Sequence, residues 1–229
     1  TTTTGATIST LATTSRTGYT FNGWFTATSG GSQITTSAPH GQTASFTLYA
    51  QWSASSQTIT YNANGGSGSI ANTTGNTDAS VTLSDGTGFT RSGYTLTRWD
   101  TATAGTGVSY TKSQGITMPA GGLTLYAVWS ANDITITFDS NTATSGSMSA
   151  LTTKADSATV LTSNGFAKSG YSFQYWTEDS GGSGTQYTDA SSYSSLTSKT
   201  LYAQWTASVT TYTITYDTST ATSGSTVGH

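Results

Sequence analysis

Few residues of this chain have the types and spacing that catalysis or metal binding requires. The only acidic cluster is Glu178 and Asp179 with Asp189, which could act as an acid/base pair or hold a metal ion. His40 and His229 lack a recognisable serine or aspartate partner pattern. Cysteine is absent, which excludes disulfides, thiolate metal sites and cysteine nucleophiles. We therefore predict no enzymatic activity, no cofactor and no metal site.

Acidic or amide residues follow three similar strand patterns and suggest a calcium loop. Asp139 and Asp217, with Asn62 in the equivalent place, each precede a loop rich in Gly, Ser and Thr. Calcium takes about six to eight oxygen ligands and usually needs several carboxylates. Each loop offers one acid, so we interpret these residues as caps of turns.

Two further features concern single side chains. Asn72, followed by two threonines, fits an N-glycosylation sequon, so we predict possible glycosylation at Asn72. Arg16, Arg91 and Lys168 occupy the same place in three copies of one phrase. Each could pair with a carboxylate or stack on an aromatic ring, a contact that contributes about 0.5–1 kcal/mol at an exposed site. We favour solvated loop cations.

Six tryptophans recur at fixed spacing and could form a platform that stacks on sugars. Leu48-Tyr-Ala-Gln-Trp52 returns as Leu125-Tyr-Ala-Val-Trp129 and Leu201-Tyr-Ala-Gln-Trp205, at intervals of 77 and 76 residues. A Gly-Tyr pair with Trp five residues after the Tyr precedes each copy. Because these aromatic residues recur at strand positions, we favour a core role. The predicted repeat core comprises Tyr19, Trp24, Trp52, Tyr94, Trp99, Trp129, Tyr171, Trp176 and Trp205.

A fixed period of this size predicts tandem units, and 229 residues accommodate three small domains better than one large one. An alternating strand pattern occurs at 58–61, 134–138 and 212–216, and a second at 6–8, 79–83 and 158–161. Further strands are predicted through the Gly-Tyr and Leu-Tyr-Ala phrases, with at most a short turn near 191–196. The sequence therefore predicts a mainly β fold, with three tandem small domains in an extended array.

The predicted domains are incomplete at the two ends of the chain. Residues 1–56 form a domain that lacks its first strand, 57–133 and 134–211 form complete domains, and 212–229 supply the first strand and loop of a further repeat. Two hypotheses remain open. The sequence is a window of a longer array, or the last strand inserts into the incomplete first domain of the next subunit, as in donor-strand complementation.

The second hypothesis predicts an assembly interface. The donor residues are Tyr212, Ile214 and Tyr216, and the acceptor residues in the first domain are Ile8, Leu48, Ala50 and Trp52. A head-to-tail contact that does not close gives an open filament. The predicted partner is therefore another copy of the chain, in a homopolymer.

Bulk composition excludes several other classes. Charged residues make up 7% of the chain and the formal net charge is −3, so no basic patch suits nucleic acid. No apolar run is long enough for a membrane span. The start has no initiator Met or signal core, so we interpret Thr1 as an internal or processed end. A mucin-like Thr/Ser coil is disfavoured because the aromatic and branched residues follow strand spacing.

The repeated phrases resemble those of the Listeria–Bacteroides repeat, also called the internalin-type B repeat. They read Arg16-Thr-Gly-Tyr-Thr-Phe-Asn-Gly-Trp24, Arg91-Ser-Gly-Tyr-Thr-Leu-Thr-Arg-Trp99 and Lys168-Ser-Gly-Tyr-Ser-Phe-Gln-Tyr-Trp176. The resemblance implies a β-grasp-like α+β domain with little helix, used in tandem on secreted and cell-surface bacterial proteins, often as adhesin stalks. It implies no shared catalytic residues.

Together these features predict a structural extracellular protein that forms a cell-surface stalk or filament by strand complementation. The alternative is an adhesin module that binds glycan or a host surface protein, with the chain being a window of a longer array.

Overall fold

The computed structural model describes residues 1–217 and Ser219. Residues 218 and 220–229 lie outside the described residues, and with them His229 and most of the loop predicted within 212–229. The chain divides into two compact units, Thr1–Asn132 and Asp133–His229. We call the predicted domains 1–56, 57–133 and 134–211 repeats 1, 2 and 3. The first unit contains repeats 1 and 2, and the second contains repeat 3.

Repeat 1 contains few strands. They are β1 (Tyr19–Phe25), β2 (Gln33–Ile34) and β3 (Tyr49–Ala54), arranged in the order β2-β1-β3. Residues 6–8, predicted as a strand, form only an isolated bridge between Thr7 and Pro39. That prediction was wrong because the equivalent segment of repeat 2 pairs with three consecutive residues, whereas here a proline limits the ladder.

Repeat 2 contains nine strands. They are β4 (Ser56–Asn62), β5 (Ser67–Gly68), β6 (Thr73–Asn76), β7 (Ser80–Thr82), β8 (Phe89–Thr90), β9 (Tyr94–Asp100), β10 (Ser109–Tyr110), β11 (Gly115–Thr117) and β12 (Leu123–Ala131). The main sheet has the order β10-β9-β12-β4-β6, in which β4 and β12 are parallel.

Repeat 3 has the same plan. Its strands are β13 (Asp133–Asp139), β14 (Ser145–Gly146), β15 (Leu151–Lys154), β16 (Thr159–Val160), β17 (Phe166–Ala167), β18 (Tyr171–Thr177), β19 (Ser192–Tyr193) and β20 (Lys199–Ala207). Its main sheet has the order β15-β13-β20-β18, with β13 and β20 parallel. The turn predicted near 191–196 contains β19, which pairs with β16.

The mainly β prediction is confirmed, and the described part of the chain contains no helix. The little helix implied by the family resemblance is therefore not found there. Alternation explains the strands: in β13 every second residue is buried, which places Ile134, Ile136 and Phe138 on the core face. None of the described residues forms a helix long and apolar enough to cross a bilayer.

Tryptophan and the first strand build the cores of repeats 2 and 3. Trp99 is fully buried with Ile59 and Leu125, and the rings of Tyr61 and Trp99 lie 4.8 Å apart. The equivalent rings of repeat 3, Phe138 and Trp176, lie 5.0 Å apart. Stacked and edge-on aromatic pairs add stability beyond the area that they bury. Each complete core therefore depends on a side chain from its first strand.

The predicted core residues differ in burial. Trp99 and Trp176 are fully buried, and most of the others are only partly buried: Trp24, Trp52, Trp129, Trp205, Tyr19 and Tyr94. Tyr171 is 44% exposed, so its assignment to the core was wrong. It is the first residue of β18, and its ring lies against Lys168 instead of in the core.

Candidate assembly site: the open edge of repeat 1

The strand β3 of repeat 1 has a free edge among the described residues. β3 pairs with β1 on one side. The corresponding strands β12 and β20 pair with an antiparallel neighbour on one side and with the parallel first strand, β4 or β13, on the other. Residues 46–49, the equivalents of the segments that pair with β4 and β13, have no parallel strand beside them among the described residues, and an unpaired edge of this kind can accept an added strand.

The missing neighbour also shortens β3. β12 begins at Leu123 and β20 at Lys199, and both positions correspond to Phe46. β3 begins only at Tyr49, so residues 46–48 are not in a strand. These are the residues whose equivalents pair with β4 and β13. The extended conformation here thus depends on the parallel partner.

The parallel ladders of repeats 2 and 3 share one register, which predicts the register of a strand added to repeat 1. Leu125 lies opposite Tyr61, and Leu201 lies opposite Phe138. Leu48 is the equivalent of both leucines, and Tyr216 is the equivalent of Tyr61 and Phe138. The added strand would therefore place Tyr216 beside Leu48.

The free edge is accompanied by a gap in the core of repeat 1. Trp24 is partly exposed, whereas its equivalents Trp99 and Trp176 are fully buried. A cavity of about 240 Å³ lies beside it, lined by apolar side chains that include Ile8, Leu11 and Leu48. The Trp24 indole N–H donates to the Ala12 carbonyl at 2.8 Å. The cavity is where an aromatic side chain of a first strand would contact Trp24.

Two of the four predicted acceptor residues line this cavity and two do not. Ile8 and Leu48 lie at it. Ala50 and Trp52 lie in β3, opposite Trp24 and Phe21 of β1. The parallel ladders of repeats 2 and 3 end at Tyr126 and Tyr202, the equivalents of Tyr49. Ala50 and Trp52 therefore lie beyond the predicted ladder.

The predicted donor residues are exposed and are not in a strand. Tyr212 is 81% exposed, Ile214 66% and Tyr216 68%. The equivalents of Ile214 in repeats 2 and 3, Ile59 and Ile136, are fully buried. Strand donation between copies stays a prediction, but these apolar side chains have no core around them within the described residues.

The residue that follows each predicted first strand makes the same hydrogen bond in all three copies. The side chains of Asn62, Asp139 and Asp217 accept hydrogen bonds from the backbone N–H two residues later, at 2.8, 2.7 and 2.9 Å. These bonds cap turns. The Ser219 N–H also lowers the pKa of Asp217. The described residues include no group of three or more His, Cys, Asp or Glu side chains arranged to hold a metal ion.

The three repeated cations stack on the tyrosine of their own phrase. The Arg16 guanidinium lies 3.6 Å from the Tyr19 ring centre, and the corresponding distances are 3.9 Å for Arg91 and 4.5 Å for Lys168. The interpretation as solvated loop cations was therefore wrong. Nothing in the sequence distinguished the alternatives except the constant three-residue spacing from cation to Tyr.

The acidic cluster of repeat 3 does not act as one site. Glu178 accepts from the Tyr193 hydroxyl at 2.9 Å and pairs with Lys199 at 2.5 Å, and Lys199 lowers the pKa of Glu178. Burial raises the pKa of Tyr193. Asp189 instead accepts from the backbone N–H of Asn164 at 2.8 Å. These contacts join the residue after β18 to β19 and β20, and Asp189 to the loop before β17. His40 is buried, with Nε2 3.2 Å from the Thr2 hydroxyl.

Comparison with known proteins gives the family. The model of the Listeria-Bacteroides repeat domain matches residues 1–51, 58–128 and 135–204. The chain belongs to the Listeria-Bacteroides repeat domain family. A Gly-rich membrane protein of Evansella cellulosilytica is 31% identical over 72% of this chain, and Internalin H of Listeria monocytogenes is 35% identical over 51%. The chain spans 20% of the length of each. No solved structure matches the chain significantly.

The family match agrees with the repeat structure, and the chain is a β-rich repeat protein. The three matched segments of the Listeria-Bacteroides repeat domain correspond to repeats 1, 2 and 3.

Proposed function

We propose that this chain is a structural, non-enzymatic protein of the cell surface, in which residues 212–216 of one copy complete repeat 1 of the next. Head-to-tail addition of this kind builds a stalk or filament. The absence of a parallel strand beside residues 46–49, among the described residues, is the observation that carries the proposal. The extracellular location is supported by the resemblance to Internalin H and to a Gly-rich membrane protein.

The donor segment matches the open site in pattern. Ile214 and Tyr216 alternate with threonines in the same way as Ile59 and Tyr61 of β4. In the predicted register Tyr216 would contact Trp24, as Tyr61 contacts Trp99. Full burial of an isoleucine stabilises by about 1.5–3 kcal/mol, so two buried side chains and a main-chain ladder supply a specific contact.

The segment before the donor strand is longer than its internal equivalents. Nine residues lead from Trp52 to Tyr61 and from Trp129 to Phe138, whereas eleven lead from Trp205 to Tyr216. The two additional residues lie in the exposed stretch that includes Val209, which is 89% exposed. The longer linker gives residues 212–216 the reach to pair outside repeat 3.

The proposal differs from the adhesin hypothesis in the surface that it uses. Binding of glycan or a host surface protein stays a prediction for the exposed faces of the repeats. Strand donation rests on a specific free edge, and we take another copy of the chain as the partner. If residues upstream of Thr1 supplied the missing strand instead, donation between copies would not be needed.

The test is a comparison of two aspartate substitutions in the full chain. Ile214→Asp places a charge at a position that the proposal buries, whereas Val209→Asp is the control in the exposed linker. Sedimentation and negative-stain images are expected to show concentration-dependent oligomers for the wild type and Val209→Asp, and monomers for Ile214→Asp. Equal assembly of both variants, or a monomeric wild type at high concentration, would overturn the proposal.

A further inference from the structure

The junction between repeats 1 and 2 shows how one repeat docks on the next. The Gly18 carbonyl accepts from the Ser55 N–H at 2.9 Å and from the Thr77 hydroxyl of repeat 2 at 2.7 Å. A Cβ atom at Gly18 would lie 2.7 Å from the Cβ of Ala120, so glycine permits this close approach. We call Arg16–Tyr19 together with Ser55 the corner of repeat 1.

The tyrosine of this corner is held from two sides. Its hydroxyl donates to the carboxylate of Asp78 in repeat 2, and the Arg16 guanidinium covers its ring. Asp78 raises the pKa of Tyr19 through this hydrogen bond. Asp78 has a left-handed backbone with φ 66°. The receiving platform of repeat 2 therefore consists of Thr77, Asp78 and Ala120.

Repeat 3 has the same corner, with no repeat against it among the described residues. The Gly170 carbonyl accepts from the Ser208 N–H at 2.8 Å, and Lys168 stacks on Tyr171. A Cβ atom at Gly170 would meet nothing within 4 Å. Tyr171 is 44% exposed, whereas Tyr19 is partly buried. The corner of repeat 3, residues 168–171 with Ser208, is thus preformed and open.

Repeat 1 has an equivalent platform, which no repeat covers among the described residues. The Gly5 N–H donates to the His40 carbonyl at 3.1 Å, as the Asp78 N–H donates to the Met118 carbonyl at 3.0 Å. Gly5 has φ 76°, so it occupies the left-handed position of Asp78, and Thr4 corresponds to Thr77. A cavity of about 380 Å³ lies at this platform, lined by residues that include Thr4, Gln42 and Thr43.

We propose that the corner of repeat 3 docks on the platform of repeat 1 of a second copy. This inference rests on the proposed function, because the donor segment leaves repeat 3 at Ser208, inside the corner. In repeat 2 the strand that completes the sheet, β4, likewise follows Ser55 directly, and the platform of that repeat covers Gly18. A copy that accepts the donor strand would bring its own platform to the corner in the same way.

Two differences in the platform distinguish the junction between copies from the junction within the chain: repeat 1 has Gln42 and Thr43 where repeat 2 has Ala120, and Gly5 where repeat 2 has Asp78. Gly5 replaces the aspartate that accepts from Tyr19 in repeat 2, so the Tyr171 hydroxyl gains no carboxylate at the platform of the second copy. The contact between copies is therefore weaker than the one between repeats 1 and 2, and it should be strengthened by restoring the carboxylate.

The experiment is a gain of function. Gly5→Asp has room, since nothing lies within 4 Å of a Cβ there, and Gly5→Ala is the control for the cost of the left-handed backbone. Gly5→Asp is expected to tighten association by about tenfold relative to Gly5→Ala, the scale of a hydrogen bond to a charged group. The gain should disappear when Tyr171→Phe is added. Equal association of the two Gly5 variants, or a gain that survives Tyr171→Phe, would overturn the docking.

A loss of function provides the second measurement. Thr43→Arg places a long side chain at the platform, and Thr162→Arg is a control at an exposed threonine of repeat 3. The first variant is expected to weaken assembly and the second is not; equal assembly contradicts the docking.

Failure of strand donation is distinguished by Ile214→Asp: if only docking is correct, the gain from Gly5→Asp persists in that background. If only strand donation is correct, Ile214→Asp abolishes assembly while Gly5→Asp and Gly5→Ala behave alike.

Discussion

Repeats 1 and 2 carry the same aromatic phrases, yet only repeat 2 buries them fully. Trp99 is completely inaccessible to solvent, whereas Trp24 is partly exposed beside an apolar cavity. The difference between them is the parallel first strand, which contributes Ile59 and Tyr61 to repeat 2. The comparison teaches that the two aromatic strands form a sheet by themselves, but the first strand is needed to close the core.

The largest expected effect comes from truncating the two equivalent tryptophans. In a chain kept monomeric by Ile214→Asp, Trp99→Ala should lower the free energy of unfolding by about 3–5 kcal/mol, because it leaves a large cavity. Trp24→Ala should cost less than half of that, since part of its surface is already exposed. Denaturant unfolding measures both values, and equal losses would show that the core of repeat 1 is closed without an added strand.

The second-largest expected effect comes from alanine substitution of the two corner glycines. Both Gly18 and Gly170 have left-handed backbones, so alanine costs about 1–2 kcal/mol at either position. At Gly18 the methyl group also overlaps Thr77 and Ala120, which adds about 1–3 kcal/mol. Gly18→Ala should therefore lower the melting temperature clearly more than Gly170→Ala in the same monomeric background. Equal shifts would mean that repeats 1 and 2 do not make this contact in solution.

A third prediction uses the pH dependence of stability to distinguish repeat 2 from repeat 3. Asp100 of repeat 2 and Thr177 of repeat 3 follow equivalent tryptophans, and both are fully buried. The Ala102 N–H, with the Ser109 hydroxyl and the Gly107 N–H, lowers the pKa of Asp100 below its ordinary value of 3.8. A carboxyl whose pKa is lowered in the folded state contributes stability above its unfolded pKa, and this is lost as the pH falls through the folded pKa.

Acidification below the ordinary carboxyl pKa should therefore destabilise repeat 2 through Asp100. Hydrogen exchange followed across that pH range would show faster opening of residues 100–109. Asp100→Asn removes the charge, so its opening should depend less on pH than that of the wild type. An unchanged pH dependence in Asp100→Asn would assign the acid sensitivity to other carboxyl groups.

The smallest expected effect concerns the stacked cations. Arg16→Met and Lys168→Met each remove a charge from above a tyrosine ring, which should cost about 0.5–1 kcal/mol. Arg16→Met should cost more stability than Lys168→Met, because the Tyr19 ring that Arg16 covers also belongs to the junction with repeat 2. Thermal unfolding of the two variants measures the difference. A larger effect at Lys168 would contradict the view that the corner of repeat 3 is open in a single chain.

Sequence reasoning succeeded where the pattern is local. The period of the Leu-Tyr-Ala phrase predicted the strands β3, β12 and β20, and the Asn or Asp after each first strand predicted a capped turn. Alternation also predicted β4 and β13. These features depend on spacing and on the chemistry of neighbouring residues, which one sequence contains.

Sequence reasoning failed where burial depends on a partner that is distant in sequence. Tyr19 and Tyr171 occupy the same place in the repeated phrase, but only Tyr19 has a following repeat to cover it among the described residues. Residues 6–8 resemble β7, yet a single bridge replaces the ladder. Neither outcome can be predicted from local pattern, because each depends on residues that are distant in sequence and contact the segment in the fold.

The most direct test of the central claim is a disulfide between copies. Thr60 and Thr124 face each other across the parallel ladder of repeat 2, with hydroxyl oxygens 3.0 Å apart, and their equivalents are Thr215 and Thr47. The chain has no cysteine, so Thr47→Cys with Thr215→Cys forms disulfides without background. We predict a ladder of linked multimers on oxidation, and none when Thr210→Cys replaces Thr215→Cys. Unlinked monomers from both pairs, or equal ladders, would contradict strand donation.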